Sequence, residues 1–353
     1  MDIFQLFDLT VERNASDLHL VPGYFPAIRV NNELLQIRVA DLLTEDATKQ
    51  MLLSLLNEEQ KQTFLNNKEL DLGYDHKDNR FRINIYFTHG KIAGAFRLIR
   101  REIKTIEELS LPSAFHQFAN LHQGLVLVTG PTGEGKSATL ASIINEINLK
   151  YAKHIVTIED PIEYVYPPSR SIISQREIHQ DLHSWSTVLK SVLREDPDIV
   201  LIGEMRDYET IQAALTIAET GHLVFSTLHT GATPETINRI IDVFPATQQN
   251  QIRNQLASVL RAVIAQRLIP DIAGTGRIPA IELLLNIPAV ASVIRDGRTN
   301  LIDNMLETGE SQGLLLFEKY LLSLYDKGRV SKEVALAYAF RPNEIKKLLT
   351  GQS

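Results

Sequence analysis

The run Leu125-Val126-Leu127-Val128-Thr129-Gly130-Pro131-Thr132-Gly133-Glu134-Gly135-Lys136-Ser137 decides the fold. Its first five residues form a short, fully apolar strand, and Leu140, Ile143, Ile144 and Ile147 then recur at helical spacing. Between them, Gly130–Ser137 matches G-x-x-x-x-G-K-[ST] in the strand–loop–helix setting that gives this pattern its meaning. The glycines let backbone N–H groups converge on phosphate oxygens, and the start of the helix adds a favourable dipole. Lys136 is placed to reach the β- and γ-phosphates, and the Ser137 hydroxyl to ligate Mg²⁺. The expected site therefore comprises Gly130, Pro131, Thr132, Gly133, Glu134, Gly135, Lys136, Ser137 and Ala138, with ATP and Mg²⁺ bound. An ordinary glycine-rich turn is the competing reading, and the flanking strand and helix weigh against it.

Downstream, strands and helices alternate. Ile155–Ile158, Ile199–Ile202 and Leu223–Thr227 are short apolar strands. Trp185, Val188, Leu189 and Val192 mark one helix face, and Ile211, Ala214, Leu215 and Ala218 another. This βαβ rhythm predicts a parallel sheet covered by helices, an α/β fold. After about residue 245 the pattern reads as mainly helical. Ile252, Leu256, Val259, Leu260 and Val263 share one long amphipathic stretch, with shorter ones through 287–351.

Upstream, residues 1–99 read as a small α+β unit. Ile3, Leu6 and Phe7 open a helix, Leu18–Val21 and Ala27–Val30 are strand-like, and Leu42–Leu65 is one or two helices. Arg80–Phe87 alternates polar and apolar residues, the mark of a half-buried strand, and His89-Gly90-Lys91 turns it into Ala93–Ile99. The charged run Arg100–Lys104 and Pro112 mark a solvated linker over 100–112. The domain expectation is thus 1–99, a linker over 100–112, and 113–353.

At 353 residues the chain exceeds one average domain, and its 44% apolar and 22% charged residues suit a soluble globular protein. No apolar stretch is long enough to cross a bilayer, and Met1-Asp2-Ile3-Phe4 does not open a signal peptide. Without cysteine there is no disulfide framework and no thiolate zinc site, so a cytoplasmic location is the expectation. A net charge of −7 weighs against a dedicated nucleic-acid binder.

Carboxylates cluster where such a sheet binds its ligands. Asp198–Ile202 leads through Gly203 to Glu204 at a strand's C-terminal end, so Glu204 is a candidate to hold Mg²⁺ directly or through water. Glu159, Asp160 and Glu163 follow another strand, and hydrolysis needs a carboxylate to orient or deprotonate the attacking water. The residues alone leave open which one is the base. His222 and His229 frame the strand between them and make a poor metal pair.

Five segments together resemble the secretion superfamily ATPases in sequence and order: 129–139, 157–163, 193–207 (LREDPDIVLIGEMRD), 219–230 (ETGHLVFSTLHT) and 239–245 (RIIDVFP). The first four correspond to the family's Walker A loop, Asp box, Walker B segment and His box. Ala15-Ser16-Asp17-Leu18-His19, with Arg80-Phe81-Arg82 and Arg97, resembles the N-terminal domain of PilT-type type IV pilus retraction ATPases, PilU-like ones included. The resemblance implies a PAS-like N-terminal domain before a RecA-like ATPase domain, assembled as a homo-hexamer. It implies Glu163 as catalytic carboxylate, Glu204 as the Mg²⁺-associated residue, and His222 and His229 near the nucleotide. Arg82 and Arg97 would close onto the phosphates, with Arg80 as a companion. It further implies a motor that powers pilus retraction through an inner-membrane platform protein, from the cytoplasmic face, without binding pilin or nucleic acid directly.

Three positions depart from the family pattern. Glu134 stands where serine is usual and is expected to point outward; Pro288–Asp296 only partly resembles the retraction-linked C-terminal segment; and His179 replaces a common glycine. The alternatives are a pilus-assembly or type II secretion ATPase, a RecA-like nucleic-acid translocase, and a regulatory nucleotide-binding protein without turnover. The assembly-type relatives carry a tetracysteine zinc module that a cysteine-free chain cannot form.

Overall fold

The computed structural model describes the whole chain except residues 31, 32, 39, 78, 100, 101, 179, 183, 186, 187, 189, 190, 275 and 351–353. It divides into two compact units. The first holds Met1–Glu102 together with Asp160–Tyr166 and Glu177–His183, and the second holds the remainder. A boundary at 100–112 puts both short segments in the later domain. The second half of the expected linker is not a solvated connector, because Ile106 and Leu111 are buried within the second unit.

In the first unit, α1 (Ile3–Glu12) starts at a capping box formed by Asp2 and Gln5. An antiparallel sheet follows in the order β3-β2-β1-β6-β5-β4. Its strands are β1 (Asp17–Leu20), β2 (Ala27–Val30), β3 (Glu33–Gln36), β4 (Glu69–His76), β5 (Asn79–Thr88) and β6 (Lys91–Ile99). The 42–65 stretch resolves into two helices, α2 (Glu45–Leu53) and α3 (Glu58–Asn67). Side chains alternate faces along a strand, so register sorts the sheet into two surfaces. Leu18, Ile28, Phe96, Ile83 and Leu72 line up across it and pack with Ile3, Leu6, Phe7, Leu52 and Phe64 as one core. The next row, Arg29, Asp17, Arg97, Arg82 and Gly73, lies on the opposite face and is polar.

The second unit is built on a sheet ordered β13-β12-β7-β11-β10-β8-β9. The strands are β7 (Gly124–Thr129), β8 (His154–Glu159), β9 (Ile172–Glu177), β10 (Ile199–Ile202), β11 (Leu223–Leu228), β12 (Leu260–Pro270) and β13 (Arg277–Leu285). β8, β10, β11, β7 and β12 run parallel, and β13 returns antiparallel to β12. β7 and β11 are buried at every position, as strands covered on both faces must be. α4 (Lys136–Lys150) follows β7, and α5 (Tyr208–Glu219) follows β10 from an Asp207 cap. α6 (Thr233–Asp242) and α7 (Ala246–Val259) precede β12.

The mainly helical C-terminal expectation needs correction. The helix carrying Ile252, Leu256 and Val259 ends at Val259, and Leu260 and Val263 belong to β12. Ala262–Gln266 is buried throughout, and a run apolar on both faces carries no periodicity to separate strand from helix. Beyond β13 the chain is helical: α8 (Pro288–Arg295), α9 (Ile302–Thr308), α10 (Phe317–Asp326), α11 (Lys332–Tyr338) and α12 (Pro342–Thr350). Trp185 and Val188 are helical, Leu189 lies outside the described residues, and Val192 begins a 3₁₀ turn. Among the described residues no helix is long and apolar enough to cross a membrane.

Candidate nucleotide site

Parallel pairing brings the C-terminal ends of β7, β11 and β10 to one edge of the sheet, where doubly wound folds bind ligands. Gly130 leaves β7 there, and its N–H donates to Leu228 O at 3.3 Å. Gly130, with φ +145°, has no room for a Cβ, which would collide with the Gln266 carbonyl oxygen. Gly133 and Gly135 also have positive φ, 83° and 78°, a region open to glycine at little cost. Gly135 then caps α4, so the helix's first N–H groups face the loop. Lys136, only 8% exposed, turns its ammonium into the loop and donates to Gly130 O at 2.6 Å and Pro131 O at 2.9 Å. An ammonium held on two loop carbonyls, beside the N–H groups of a helix start, is an arrangement suited to an anion. Ser137 and Ala138 occupy the first turn of α4 and are half-buried.

One strand over, the Thr227 hydroxyl donates to Gly203 O at 2.8 Å, and Met205 N–H to Thr227 O at 3.0 Å. These bonds fix the chain on either side of Glu204. Its carboxylate, 15% exposed, pairs with His229 Nε2 at 2.7 Å and with the Arg206 guanidinium. Burial, and then the positive charges of Lys136 and Arg206, hold His229 below the ordinary histidine value. His229, Glu204 and the phosphate loop therefore share one edge of one sheet.

His222 does not. It precedes β11 at the opposite edge, where its carbonyl accepts from Gly124 N–H at 3.0 Å and its Nδ1 faces Thr220 Oγ1 at 3.0 Å. A six-residue strand separates it from the loop of its own chain, and at about 3.3 Å per residue that is far beyond contact. The expectation that places His222 beside the nucleotide is corrected to this extent: within its own chain His222 stands at the far end of β11 from the phosphate loop.

Glu134 is corrected too. Its carboxylate does not point outward but accepts from Leu268 N–H on β12. Glu159 is turned onto its own surroundings, accepting from the Thr157 hydroxyl at 2.7 Å and Gln175 at 3.3 Å.

The remaining expected residues lie in the first unit. Arg82 reaches Glu163 at 4.0 Å and Asp71 at 3.8 Å, and Arg97, directly opposite Arg82 in the sheet, pairs with Asp17 at 3.1 Å. Arg80 is buried and bonded to Glu177 at 2.5 Å and Asp75 at 2.7 Å, which makes it a structural cation rather than their companion. His179 lies outside the described residues. Sequence reasoning missed Arg206, Gln266 and Thr139. Arg206 is inside a segment it quoted, whereas Gln266 lies in the stretch misread as helix.

No group of three His, Asp or Glu among the described residues is arranged to hold a metal alone. A phosphate-bound Mg²⁺ takes only one or two protein oxygens, so Ser137 and Glu204 are a fitting donor set.

Comparison with known proteins identifies the family. Residues 11–337 match the sequence profile of the family described as type II/IV secretion system protein. The chain is 43% identical over 311 residues to a twitching motility protein of Neisseria gonorrhoeae, covering 88% of this chain and 83% of that one. It is 41% identical over 336 residues to the type IV pilus retractation ATPase PilT of Pseudomonas aeruginosa, covering 95% and 97%. A crystal structure of the pilus retraction motor PilT with bound ADP superposes with a TM-score of 0.91 at 38% identity, covering 98% and 99%. The fold is thus a RecA-like ATPase domain preceded by a small PAS-like domain. With most of its length matched by profile, sequence and structure alike, the chain belongs to the type II/IV secretion system protein family.

Proposed function

We propose that this chain is an ATP-hydrolysing motor that powers type IV pilus retraction, and hence twitching motility. The observation that carries the reading is the glycine-lined loop with Lys136 drawn into it, on the same sheet edge as Glu204 and His229. Likeness over most of the length to proteins named for twitching and pilus retraction supports the direction of the work.

In this reading the loop N–H groups and Lys136 bind the phosphates of the substrate ATP. Mg²⁺, held by Ser137 and Glu204, supplies charge neutralisation at the phosphates. His229 orients the Glu204 carboxylate. Glu163 positions and deprotonates the attacking water, and Arg82 and Arg97 offset charge developing on the transferring phosphoryl group. Copies of the chain assemble as a homo-hexamer, and hydrolysis rotates domains to turn an inner-membrane platform protein from its cytoplasmic face.

The test has two arms. Lys136→Ala abolishes ATP turnover by the purified protein, and near-normal turnover in that variant contradicts the site. Deleting the gene gives surplus surface pili and no twitching, whereas bald cells favour an assembly motor.

A further inference from the structure

The phosphate loop is braced from behind by β12. Gln266, 2% exposed, donates from Nε2 to Glu134 O at 2.7 Å and accepts at Oε1 from the Thr139 hydroxyl at 2.8 Å. The Glu134 carboxylate accepts from Leu268 N–H, two residues further along the same strand. Arg277, on β13, donates to Gly133 O at 3.4 Å. The loop's two central glycines leave its backbone loose, and these ties fall on Gly133 and Glu134 between them.

A carboxylate is chemically out of place here, because the loop receives a polyanion and like charges repel. The bond to Leu268 N–H accounts for the side chain's geometry but does not remove its charge. We propose that Glu134 is a positioning and specificity-determining residue with two separable effects. Its acceptor oxygen latches the loop to β12, and its charge lowers affinity for nucleotides, more for the triphosphate than for the diphosphate. The inference rests on the loop being a nucleotide site, and it adds a built-in weakening of nucleotide retention.

Two variants separate latch from charge. Glu134→Gln keeps an acceptor oxygen of the same reach and removes the charge, whereas Glu134→Ser removes both. Fluorescently labelled ATP and ADP are titrated with Mg²⁺ onto the full chain at low and high salt. The Gln variant binds labelled ATP about three- to tenfold tighter than wild type at low salt, with a smaller gain for ADP and a loss of the gain at high salt. The Ser variant binds both nucleotides more weakly than the Gln variant. A Gln variant no tighter than wild type, or a gain equal for both nucleotides and indifferent to salt, overturns the charge effect. A Ser variant equal to Gln overturns the latch. If wild type binds neither nucleotide, the ATPase reading fails first and this inference falls with it.

Discussion

Nε2 of His229 lies 2.7 Å from Oε2 of Glu204, while Arg206 pairs with the other oxygen of the same carboxylate. The acid is nearly enclosed and the imidazole is half exposed, so Glu204 is the fixed member and His229 the adjustable one. With its proton affinity lowered by burial and by Lys136 and Arg206, His229 is neutral at pH 7 and donates Nε2–H to the acid. Glu204→Gln keeps the shape but removes the charge that faces the metal. Phosphate release at saturating Mg²⁺ and ATP is expected to fall by about 10- to 100-fold. Unchanged release would remove Glu204 from the site.

Arg97 faces Arg82 directly across β6 and β5, and its side chain is 67% exposed. Two guanidiniums side by side repel, and Asp17 and Glu163 each relieve one of them. As an exposed strand-face ion pair, Arg97–Asp17 contributes only about 0–1 kcal/mol of stability. Arg97→Ala should therefore leave the melting temperature almost unmoved. A role on the transferring phosphoryl group predicts a turnover loss of about a thousandfold. Normal turnover with normal melting would reduce Arg97 to a surface charge.

What the sequence made legible follows from how local each signal is. The phosphate loop announces itself because its strand, glycines and helix start are contiguous, and β5 and β6 because Arg82-Ile83-Asn84-Ile85 alternates. β12 was lost because a run buried on both faces continues an amphipathic helix without a break in composition. The direction of Glu134 was lost because its partner, Leu268, is 134 positions away. The separation of His222 from His229 was available: residues bracketing one strand stand at opposite edges of the sheet. The Arg82–Glu163 approach, by contrast, depends on a segment from the middle of the chain joining the first unit, which no local pattern reveals.

Glu177 is the least exposed carboxylate of the first unit's polar face, at 1%. It accepts from Gly73 N–H at 2.7 Å, Ile162 N–H at 3.1 Å and Arg80 at 2.5 Å. The absence of a side chain at residue 73 makes this possible, since a Cβ there would overlap Arg80 and stand 2.6 Å from Glu177. Gly73→Ala should push the buried pair apart, and disrupting such a pair costs about 3–5 kcal/mol. The midpoint of urea denaturation should drop accordingly. A midpoint within error of wild type would mean that the pair relocates without loss.

His116 offers a prediction whose sign is set by two carboxylates. Its Nδ1 faces Glu146 of α4 at 2.8 Å, and its Nε2 faces Glu107 at 2.7 Å. The hydrogen bond that His116 donates to Glu146, opposed by desolvation and helped by Glu107, raises the imidazole above its ordinary value of 6.5. A histidine whose proton is held more tightly folded than unfolded stabilises the fold where both states are protonated. That contribution is complete below the unfolded value and disappears as pH climbs through the raised folded one. His116→Gln removes the titrating group while leaving both acids in place. The melting-temperature gap between wild type and variant should therefore be widest on the acidic side of 6.5 and shrink as pH rises above it. A gap equally wide at both ends would assign His116 a neutral hydrogen-bonding role instead.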